Sequence, residues 1–327
     1  MTDQYRHIPV MLEQTREHLA LRPGETFVDC TLGGAGHALA LAPALQPGGY
    51  LVGIDQDAVA LTVARDRLHK ALPQLRLTLL SGNFAELDTL LSELSIIGID
   101  AALLDLGVSS PQLDTPQRGF SYAREAPLDM RMAPGKQSKT AAEILNTANA
   151  ADLTWILRSY GEERWASRIA AAIVAHRQRS PLATTTELAE LVRTAIPAAA
   201  RRQGGNPAKR TFQALRIAVN DEMEALKSGL DAVIRWLNPG GRVVVISYHS
   251  LEDRIVKESF ASLKRGCICP PEQPICTCGR KPVFSAVSGK ALRPADDEKQ
   301  CNGRSASARL RWAVKSKAVE DDAALRC

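Results

Sequence analysis

The sequence lacks the features that mark membrane and exported proteins. Its longest apolar runs, such as RIAAAIVA at 168–175, are far shorter than the roughly 20 residues that a membrane-spanning helix needs. The first residues, MTDQYRHIPVMLEQT, have neither the basic start nor the apolar core of a signal peptide. The seven cysteines are an odd number without an export signal, so no disulfide framework is expected. We expect a soluble, cytoplasmic protein.

The composition excludes disorder for most of the 327-residue chain. Hydrophobic residues make up 45% and charged residues 24% of it, as in ordinary globular proteins. The net charge of +5 is compatible with a polyanionic partner, although many soluble proteins carry a similar excess. The length suffices for one large domain with an insertion or for two smaller domains.

Apolar segments alternate with helical patterns in the first hundred residues and predict a doubly wound α/β fold with a mostly parallel sheet. A helix is predicted at 36–46, and another after the second strand, where Leu61, Ala64 and Leu68 share one face. Strands that are almost wholly apolar and alternate with helices are typical of sheets covered on both sides. The predicted strands are 25–30, 50–55, 75–83, 99–107 and 240–250.

The alternation stops between about Ser110 and Asn206, where the sequence predicts a loop and then helices. Capping-box spacing occurs at Thr140–Glu143 and at Thr184–Glu187. We therefore predict one discontinuous domain of residues 1–110 and 207–327, and a helical insertion at 111–206. Ser250 and Asp253 are expected to cap the helix after the last strand. Near the end of the chain, RLRWAVK is either a strand or a helix.

The stretch VDCTLGGAGH, residues 28–37, has three glycines within four positions directly after the first predicted strand. Ligands of parallel sheets bind at the carboxyl ends of the strands, and glycines there let the backbone approach them. Asp55 ends the second predicted strand, where an acidic side chain is placed to bind ribose hydroxyls. The pattern indicates a nucleotide-like cofactor.

Two cofactors use this arrangement, and a tight turn without a ligand is a third interpretation. A dinucleotide requires G-x-G-x-x-G, but Ala35 and Ala38 replace the two glycines that should follow Gly33. S-adenosylmethionine (SAM) has no phosphate and carries an ammonium group, so Asp29 suits SAM and would repel a pyrophosphate. The residues favour SAM and leave the other two interpretations open.

Asp105 ends the fourth predicted strand, above the expected cofactor pocket. Methyl transfer to the exocyclic amine of a nucleobase is an in-line displacement by a weak nucleophile. A carboxylate that accepts a hydrogen bond from the amine orients it and stabilises the positive charge that develops. Asp105 is suited to that role, and capping of the next turn or cofactor binding is the alternative.

Several long strings, in one order, resemble the RsmH/MraW family of SAM-dependent methyltransferases. That family modifies a cytosine at its exocyclic nitrogen in small-subunit ribosomal RNA of bacteria. The matches run nearly end to end: HIPVML (7–12), DCTLGGAGH (29–37), GIDQDA (53–58), LLDLGVSSPQLD and RGFSY (within 103–122), PLDMRM (127–132), YGEERWASRIA (160–170), NPAKRTFQALRIAVNDE (206–222), GGRVVVISYHSLEDRIVK (240–257) and NGRSASARLR (302–311).

The resemblance implies a class I SAM-dependent methyltransferase that acts on a cytosine N(4) amine in the decoding region of 16S ribosomal RNA. Its SAM-binding residues would be Ala35, Gly36 and His37 at the methionine end, Asp55 at the ribose, Phe84 beside the adenine, and Asp105 and Gln112 completing the pocket. The chain departs from the family pattern at Ala35, where glycine is usual, and we expect alanine to require a negative φ there. Further departures are Glu125–Ala126, Asn206, Lys209, Gly303 and Ala306.

A basic stretch between Leu191 and Asn220 is the expected RNA-binding surface, and the insertion is expected to recognise the substrate. This stretch contains no acidic residue, which suits contact with phosphates, although a solvated basic helix face is the alternative. Phe120 and Tyr122 either stack on a splayed base or anchor their loop to the core. The basic residues are Arg193, Arg201, Arg202, Lys209, Arg210 and Arg216, and the RNA-binding candidates are Arg118, Phe120, Arg210 and Arg216.

Two other features suggest chemistry. CICPPEQPICTC contains Cys267, Cys269, Cys276 and Cys278, but zinc sites usually have C-x2-C pairs, so C-x-C spacing favours reduced thiols without a metal. His249 follows the last strand, and we expect a structural role for it rather than that of a base.

Three other functions remain open from the sequence alone. They are a nicotinamide-dependent oxidoreductase, an RNA-binding protein without catalysis, and a SAM-dependent enzyme for a protein or a small molecule. The sequence does not indicate whether the chain forms a homodimer.

Overall fold

A computed structural model of the chain describes residues 9–135, 139–201, 206–270 and 272–317, except for the side chains of residues 110 and 111. Arg202, a member of the predicted basic stretch, lies outside the described residues. The chain divides into two compact units. The first, which we call the sheet unit, comprises Met1–Gly107 and Glu224–Cys327, and the second, the inserted unit, is Val108–Met223.

The sheet unit contains one mixed sheet, with strands in the order β3-β2-β1-β4-β5-β7-β6. Neighbouring strands from β3 to β5 are parallel, whereas β7 is antiparallel to both β5 and β6. This arrangement confirms the predicted doubly wound, mostly parallel α/β fold. The strands are β1 (Thr26–Asp29), β2 (Tyr50–Asp55), β3 (Arg76–Ser81), β4 (Ile99–Asp105), β5 (Leu237–Ser247), β6 (Phe284–Val287) and β7 (Arg309–Lys315).

The helices cover both faces of the sheet and build the inserted unit. In chain order they are α1 (Leu12–Leu19), α2 (Gly36–Leu41), α3 (Ala58–Ala71), α4 (Leu87–Ser92), α5 (Ser110–Asp114), α6 (Ala141–Thr147), α7 (Ala150–Gly161), α8 (Ala166–Arg177), α9 (Thr185–Ala195), α10 (Ala198–Arg201), α11 (Lys209–Asn220), α12 (Glu222–Trp236), α13 (Ser250–Arg265) and α14 (Asp296–Cys301). Short 3₁₀ segments at 42–45, 84–86, 116–118 and 303–307 join some of them.

Alternate residues of the central strands enter two separate cores. Val52 and Ile54 of β2 face one cluster, which also contains residues of α4, α12 and α13. Leu51 of the same strand faces the other, with residues of α1, α2 and α3. Each fully buried aliphatic side chain contributes about 1.5–3 kcal/mol. Burial on both faces explains why these strands are apolar throughout and why the sequence predicted them well.

The inserted unit has an apolar core of its own. Both predicted capping boxes are present, at the start of α6 and at the start of α9. The boundary predicted near residue 207 lies instead after Met223. The reason is that Phe212, Leu215 and Val219 of α11 belong to the core of the inserted unit.

The cap predicted for α13 was one residue out of place. Ser250 is already the first residue of the helix, and His249 is the N-cap, whose Nδ1 accepts a hydrogen bond from the Glu252 N–H at 3.4 Å. This is a structural role for His249, as the sequence favoured. Asp253 instead accepts hydrogen bonds from Arg311 at 2.6 Å and from Arg309 at 3.0 Å. Within the described residues, no helix is both long and apolar enough to cross a membrane.

Candidate active site

Three carboxylates end adjacent parallel strands of the sheet unit. Asp29, Asp55 and Asp105 are the last residues of β1, β2 and β4, and β1 lies between the other two strands. Because these strands are parallel, the three side chains meet at the carboxyl edge of the sheet, where α/β folds bind ligands. The structure therefore brings together the acidic residues that the sequence singled out.

The glycine loop turns from β1 into α2 through two residues in left-handed conformation. Gly33 has a φ of 51° and Ala35 a φ of 61°. The expectation of a negative φ at Ala35 was therefore wrong. The turn itself imposes this conformation, because the Ala35 N–H bonds the Leu32 carbonyl at 2.8 Å and its own carbonyl accepts from Leu39 at 2.9 Å. The methyl group of Ala35 is fully buried, and that burial offsets part of the strain.

Contacts with neighbouring strands and with α3 hold the loop in place. One carboxylate oxygen of Asp55 accepts the Gly33 N–H at 2.7 Å, and the other accepts the Asp57 N–H at 2.8 Å. Arg67 donates a hydrogen bond to the Gly34 carbonyl. Asp55 is thus a structural support of the loop as well as a candidate ligand-binding residue.

Two of the carboxyl groups at this edge of the sheet have raised pKa values. Burial raises the pKa of Asp29 to about 7, against the effect of a hydrogen bond from the Thr31 N–H, and the charges of Asp105 and Asp55 raise it further. Burial also raises the pKa of Asp55 to about 6, although hydrogen bonds from Asp57 and Gly33 oppose the rise. Clustered carboxylates with raised pKa values are stabilised in their charged form by a cation.

Asp105 is held by a tyrosine and lies beside a histidine. The Tyr248 hydroxyl donates a hydrogen bond to Asp105 Oδ1 at 2.8 Å, and His37 Nδ1 lies 3.6 Å from Asp105 Oδ2. His37 Nε2 lies 3.0 Å from the Val10 carbonyl, which can only accept, so Nε2 carries a proton. The Asp105 N–H also donates to Thr31 Oγ1 at 2.6 Å.

Phe84 follows β3, the strand next to Asp55. The Gly82 N–H bonds the Asp55 carbonyl at 3.1 Å, so the chain leaves β3 at the same edge of the sheet. The Phe84 ring packs so closely on Gly229 of α12 that a Cβ there would lie 2.3 Å from a ring carbon. This contact fixes one face of the ring beside the carboxyl ends of β2 and β3.

Comparison with known proteins identifies the family. The model of the MraW methylase family matches residues 4–316. Ribosomal RNA small subunit methyltransferase H of Symbiobacterium thermophilum is 49% identical over 317 residues, which are 97% of this chain and 99% of that protein. The protein of the same name from Heliobacterium modesticaldum is 51% identical over 312 residues, 95% of this chain and 99% of its own.

The chain belongs to the MraW methylase family. It is a SAM-dependent methyltransferase with a class I methyltransferase fold, which excludes the oxidoreductase and the RNA-binding protein without catalysis. Among solved structures, an rRNA methylase from Streptococcus thermophilus aligns with a TM-score of 0.41 at 13% identity, over 95% of this chain and 99% of that one.

The negative charge of the candidate site in this MraW-family chain is complementary to the positive charge of SAM. SAM carries an ammonium and a sulfonium group and no phosphate, and the carboxyl edge presents Asp29, Asp55 and Asp105. A pyrophosphate would meet the same carboxylates and be repelled. The broken glycine fingerprint and the acidic edge therefore favour the same cofactor for independent reasons.

The inserted unit contains the remaining predicted residues and gives several of them structural contacts. Gln112 is buried, and its side-chain oxygen accepts the Ser109 N–H at 3.0 Å. Arg118 donates to the carbonyls of Arg131 at 3.1 Å and Met132 at 2.8 Å.

Phe120 is only 7% exposed and lies in the core of the inserted unit. The structure therefore favours the anchoring role for Phe120 over base stacking. Tyr122 packs edge-on against Phe212 at 5.5 Å between ring centroids, which is also a packing contact.

The predicted basic stretch is partly neutralised by acids just outside it. Arg216 forms two 2.8 Å hydrogen bonds with Glu222, and Arg193 is paired with Glu190. Arg210 is exposed, and one of its guanidinium nitrogens donates to the Glu162 carbonyl at 2.9 Å. Because sequence reasoning counted only residues 191–220, it missed both acids. Of these three arginines, Arg210 is the one not paired with a carboxylate within the described part of the chain, so RNA contact stays a prediction for Arg210.

Sequence reasoning missed two residues of the site and one of the inserted unit. Tyr248 follows β5 at the same edge as the carboxylates, so its place after a predicted parallel strand was a usable signal. Arg67 lies on α3, and its contact with the loop depends on tertiary packing alone. Trp155 is 56% exposed on α7, and an exposed tryptophan cannot be told from a buried one by residue type.

Proposed function

We propose that this protein transfers the methyl group of SAM to the exocyclic N(4) amine of a cytidine in the decoding region of 16S ribosomal RNA. Relatives about half identical over nearly their whole length carry the name ribosomal RNA small subunit methyltransferase H. The observation that carries the chemistry is the Asp105 carboxylate, positioned by Tyr248 at the end of β4. The substrate is the small ribosomal subunit or its RNA, in the cytoplasm.

In this proposal SAM lies along the carboxyl ends of β1, β2 and β4. The Ala35, Gly36 and His37 segment contacts the methionine end, and Asp29 balances its ammonium charge. Asp55 accepts hydrogen bonds from the ribose hydroxyls. Its oxygens already accept two backbone N–H groups, but each carboxylate oxygen has a second acceptor position. Phe84 lies beside the adenine, and the family resemblance also assigns Gln112 to cofactor binding.

Asp105 acts on the amine that is methylated. SAM supplies the methyl group as an electrophilic sulfonium. Asp105 accepts a hydrogen bond from the N(4) amine and turns the nitrogen lone pair towards the methyl carbon. As the nitrogen–carbon bond forms, the carbon–sulfur bond breaks and its electron pair stays on sulfur. The amine then loses one proton to Asp105, and the products are methylated cytidine and S-adenosylhomocysteine.

Tyr248 and His37 are positioning residues in this mechanism. The pKa of Tyr248 is raised well above its usual value by burial and by the charge of Asp105, so the phenol stays protonated and donates to the carboxylate. His37 is anchored through Nε2 to Val10, which orients its ring beside Asp105 Oδ2. Together they limit the rotation of the Asp105 carboxylate, and pre-oriented groups of this kind lower the activation barrier.

The inserted unit is proposed to hold the RNA through α7 and α11. The exposed Trp155 packs edge-on against Tyr160 with ring centroids 5.1 Å apart. The Tyr160 carbonyl accepts from Gln213 at 3.1 Å and the Glu162 carbonyl from Arg210 at 2.9 Å, so the aromatic pair and the arginine are close together. An exposed ring for stacking beside a cation suits single-stranded RNA, in which the target base is unpaired.

The direct test uses labelled SAM and small ribosomal subunits from cells that lack this enzyme. The RNA is digested to nucleosides after the reaction, and the labelled nucleoside is identified by mass spectrometry. Label on N(4) of cytidine supports the proposal. Asp66→Asn, which changes an exposed carboxylate on α3, is the matched control for Asp105→Asn and should retain full activity.

Three results would count against the proposal. Label on another nucleoside, or on N(4) with undiminished rate in Asp105→Asn, would refute the substrate atom or the role of Asp105. No label in RNA, with SAM demonstrably bound, would direct attention to protein and small-molecule acceptors, the remaining alternative from the sequence.

A further inference from the structure

The segment between α13 and β6 spans residues 266–282, and the part of it that the structure describes has no apolar core. None of its described residues is buried, and Ile268 and Ile275 are 60% and 76% exposed. Its two ends meet closely, because a Cβ on Gly266 would lie 2.6 Å from the Pro282 nitrogen. A closed loop of this length without buried apolar residues needs another source of order.

Four thiols converge inside this loop. The Sγ atoms of Cys267, Cys269, Cys276 and Cys278 all lie within 4.8 Å of one another. Cys267 and Cys276 are 3.5 Å apart, Cys276 and Cys278 3.5 Å, Cys278 and Cys267 3.7 Å, and Cys269 and Cys276 3.9 Å. All four are free cysteines.

These separations match the edges of a metal-centred tetrahedron. A tetrahedral zinc site with zinc–sulfur bonds of about 2.3 Å has sulfur–sulfur edges of about 3.8 Å. A disulfide would instead bring two sulfurs to about 2.05 Å and leave the other pair apart. The four sulfurs form one compact group rather than two bonded pairs.

We propose that Cys267, Cys269, Cys276 and Cys278 bind one structural Zn²⁺ ion that orders the loop between α13 and β6. Four thiolates leave no open coordination position, so the ion has no catalytic role. The site is outside the acidic edge of the sheet, and it does not depend on the methyl acceptor proposed above.

The C-x-C spacing does not prevent this arrangement, contrary to the expectation from the sequence. That expectation was that C-x-C spacing makes chelation by both thiols of each pair awkward. In the structure the two pairs come from the two ends of the loop and face each other. Each cysteine therefore occupies one corner, and Cys276 and Cys278 are separated by an ordinary tetrahedral edge.

Backbone N–H groups point at two of the four sulfurs. Ile268 and Arg280 donate hydrogen bonds to Cys278. Thr277 and Cys278 donate hydrogen bonds to Cys269. Hydrogen bonds to the ligand atoms are the usual outer support of metal sites. Exposed basic residues adjacent in sequence, Arg265, Arg280 and Lys281, counter the negative charge of a zinc tetrathiolate.

Metal analysis of the full-length protein tests the site without reference to activity. The protein is purified under reducing conditions and its metals are measured by mass spectrometry. We expect about one zinc ion per chain. Cys276→Ser should reduce the zinc content at least tenfold. Cys301→Ser is the matched control, because Cys301 is an exposed cysteine on α14, outside the cluster, and it should retain the ion.

Three further measurements distinguish loss of the ion from misfolding of the variant. SAM binding by Cys276→Ser should equal that of the unchanged protein, because the loop is not part of the cofactor site. Trypsin should cleave after Arg280 much faster in Cys276→Ser and in chelator-treated protein. Replacement of zinc by Co²⁺ should produce the absorption bands of a tetrahedral cobalt thiolate, and Cys276→Ser should lose them.

Any of four results would overturn the proposal. The first is absence of zinc while all four thiols titrate as reduced, and the second is equal zinc content in Cys276→Ser and in the unchanged protein. The third is iron in place of zinc, and the fourth is two disulfides among the four cysteines, found by mass spectrometry in protein purified under reducing conditions.

Discussion

The Tyr248 hydroxyl donates a 2.8 Å hydrogen bond to Oδ1 of Asp105, and this contact joins the ends of two neighbouring parallel strands. Asp105 ends β4, and Tyr248 follows the last residue of β5. Their distance is set by the pairing of Asp105 with Ile246 in the sheet. The geometry of the proposed catalytic carboxylate therefore depends on the rigid centre of the fold rather than on a flexible loop.

Removal of the Tyr248 hydroxyl should slow methyl transfer without loss of SAM. Tyr248→Phe leaves the ring in place but frees the Asp105 carboxylate to rotate. We expect kcat to fall about tenfold, the equivalent of one hydrogen bond of about 1.4 kcal/mol. Asp105→Asn should reduce kcat by about 10²–10³-fold. Single-turnover assays with labelled SAM measure both effects, and calorimetry measures SAM affinity. Equal losses of kcat and of SAM affinity would contradict a positioning role for Tyr248.

Asp55→Ala should weaken SAM binding far more than it slows the chemical step. Loss of the hydrogen bonds that the ribose hydroxyls donate to a charged carboxylate costs about 1.5–3 kcal/mol, or roughly 10- to 100-fold in affinity. The variant also removes the acceptor of the Gly33 N–H, so the loop loses a support. Titration calorimetry with SAM measures the change, and Asp66→Ala on the exposed face of α3 is the control. Unchanged affinity in Asp55→Ala would exclude Asp55 from the ribose site.

SAM affinity should increase with pH between about 5 and 8, because the raised pKa values of Asp29 and Asp55 keep both groups partly protonated in the free protein. The pKa values are about 7 and about 6, and a cationic ligand requires the ionised forms. Asp29→Asn should remove the upper part of the rise, near pH 7. Calorimetry over this range tests the prediction, and a flat profile for the unchanged protein would refute it.

The raised pKa values of Asp29 and Asp55 also affect the stability of the free protein. Its stability should fall with rising pH, whereas SAM affinity should increase. Both carboxyls bind protons more tightly in the folded than in the unfolded chain, because their folded pKa values are above the ordinary 3.8. Their contribution therefore favours the fold below about pH 4 and is lost as pH rises through about 6 and 7. Urea unfolding with and without SAM separates this effect from ligand binding.

Periodicity and strand ends predicted the sheet and its acidic edge because both depend on local sequence. β2 agrees with its prediction at both ends, since a strand buried on both faces is apolar throughout. The φ of Ala35 was predicted wrongly because it depends on how the whole turn is hydrogen-bonded and packed. The pairing of Arg216 with Glu222 was missed because it depends on a contact that composition does not specify. The four cysteines were recognised as a group, but their C-x-C spacing alone did not show how their sulfurs are arranged.

Ala35→Gly should change stability little, whereas Ala38→Gly should be clearly destabilising. Both methyl groups are fully buried, so both variants lose a similar packing contribution of about 0.8 kcal/mol. At Ala35, glycine relieves the strain of the left-handed backbone conformation, which costs alanine about 1–2 kcal/mol. At Ala38, within α2, glycine instead lowers helix stability by about 1 kcal/mol. Urea denaturation measures both. A loss at Ala35 equal to that at Ala38 would show that the left-handed conformation of Ala35 costs nothing.

RNA binding should depend on Arg210 and Trp155 but not on Arg193. Arg210→Ala removes a phosphate contact and should weaken binding with a shallower salt dependence, because fewer counterions are released. Trp155→Ala should cost about 1–3 kcal/mol of stacking and leave the salt dependence unchanged. Arg193→Ala is the matched control, since that arginine is already paired with Glu190. Filter binding of small-subunit RNA at several salt concentrations distinguishes the three. If Arg193→Ala weakened binding as much as Arg210→Ala, the whole basic stretch would form the contact surface, and the pairing with Glu190 would have to break when RNA binds.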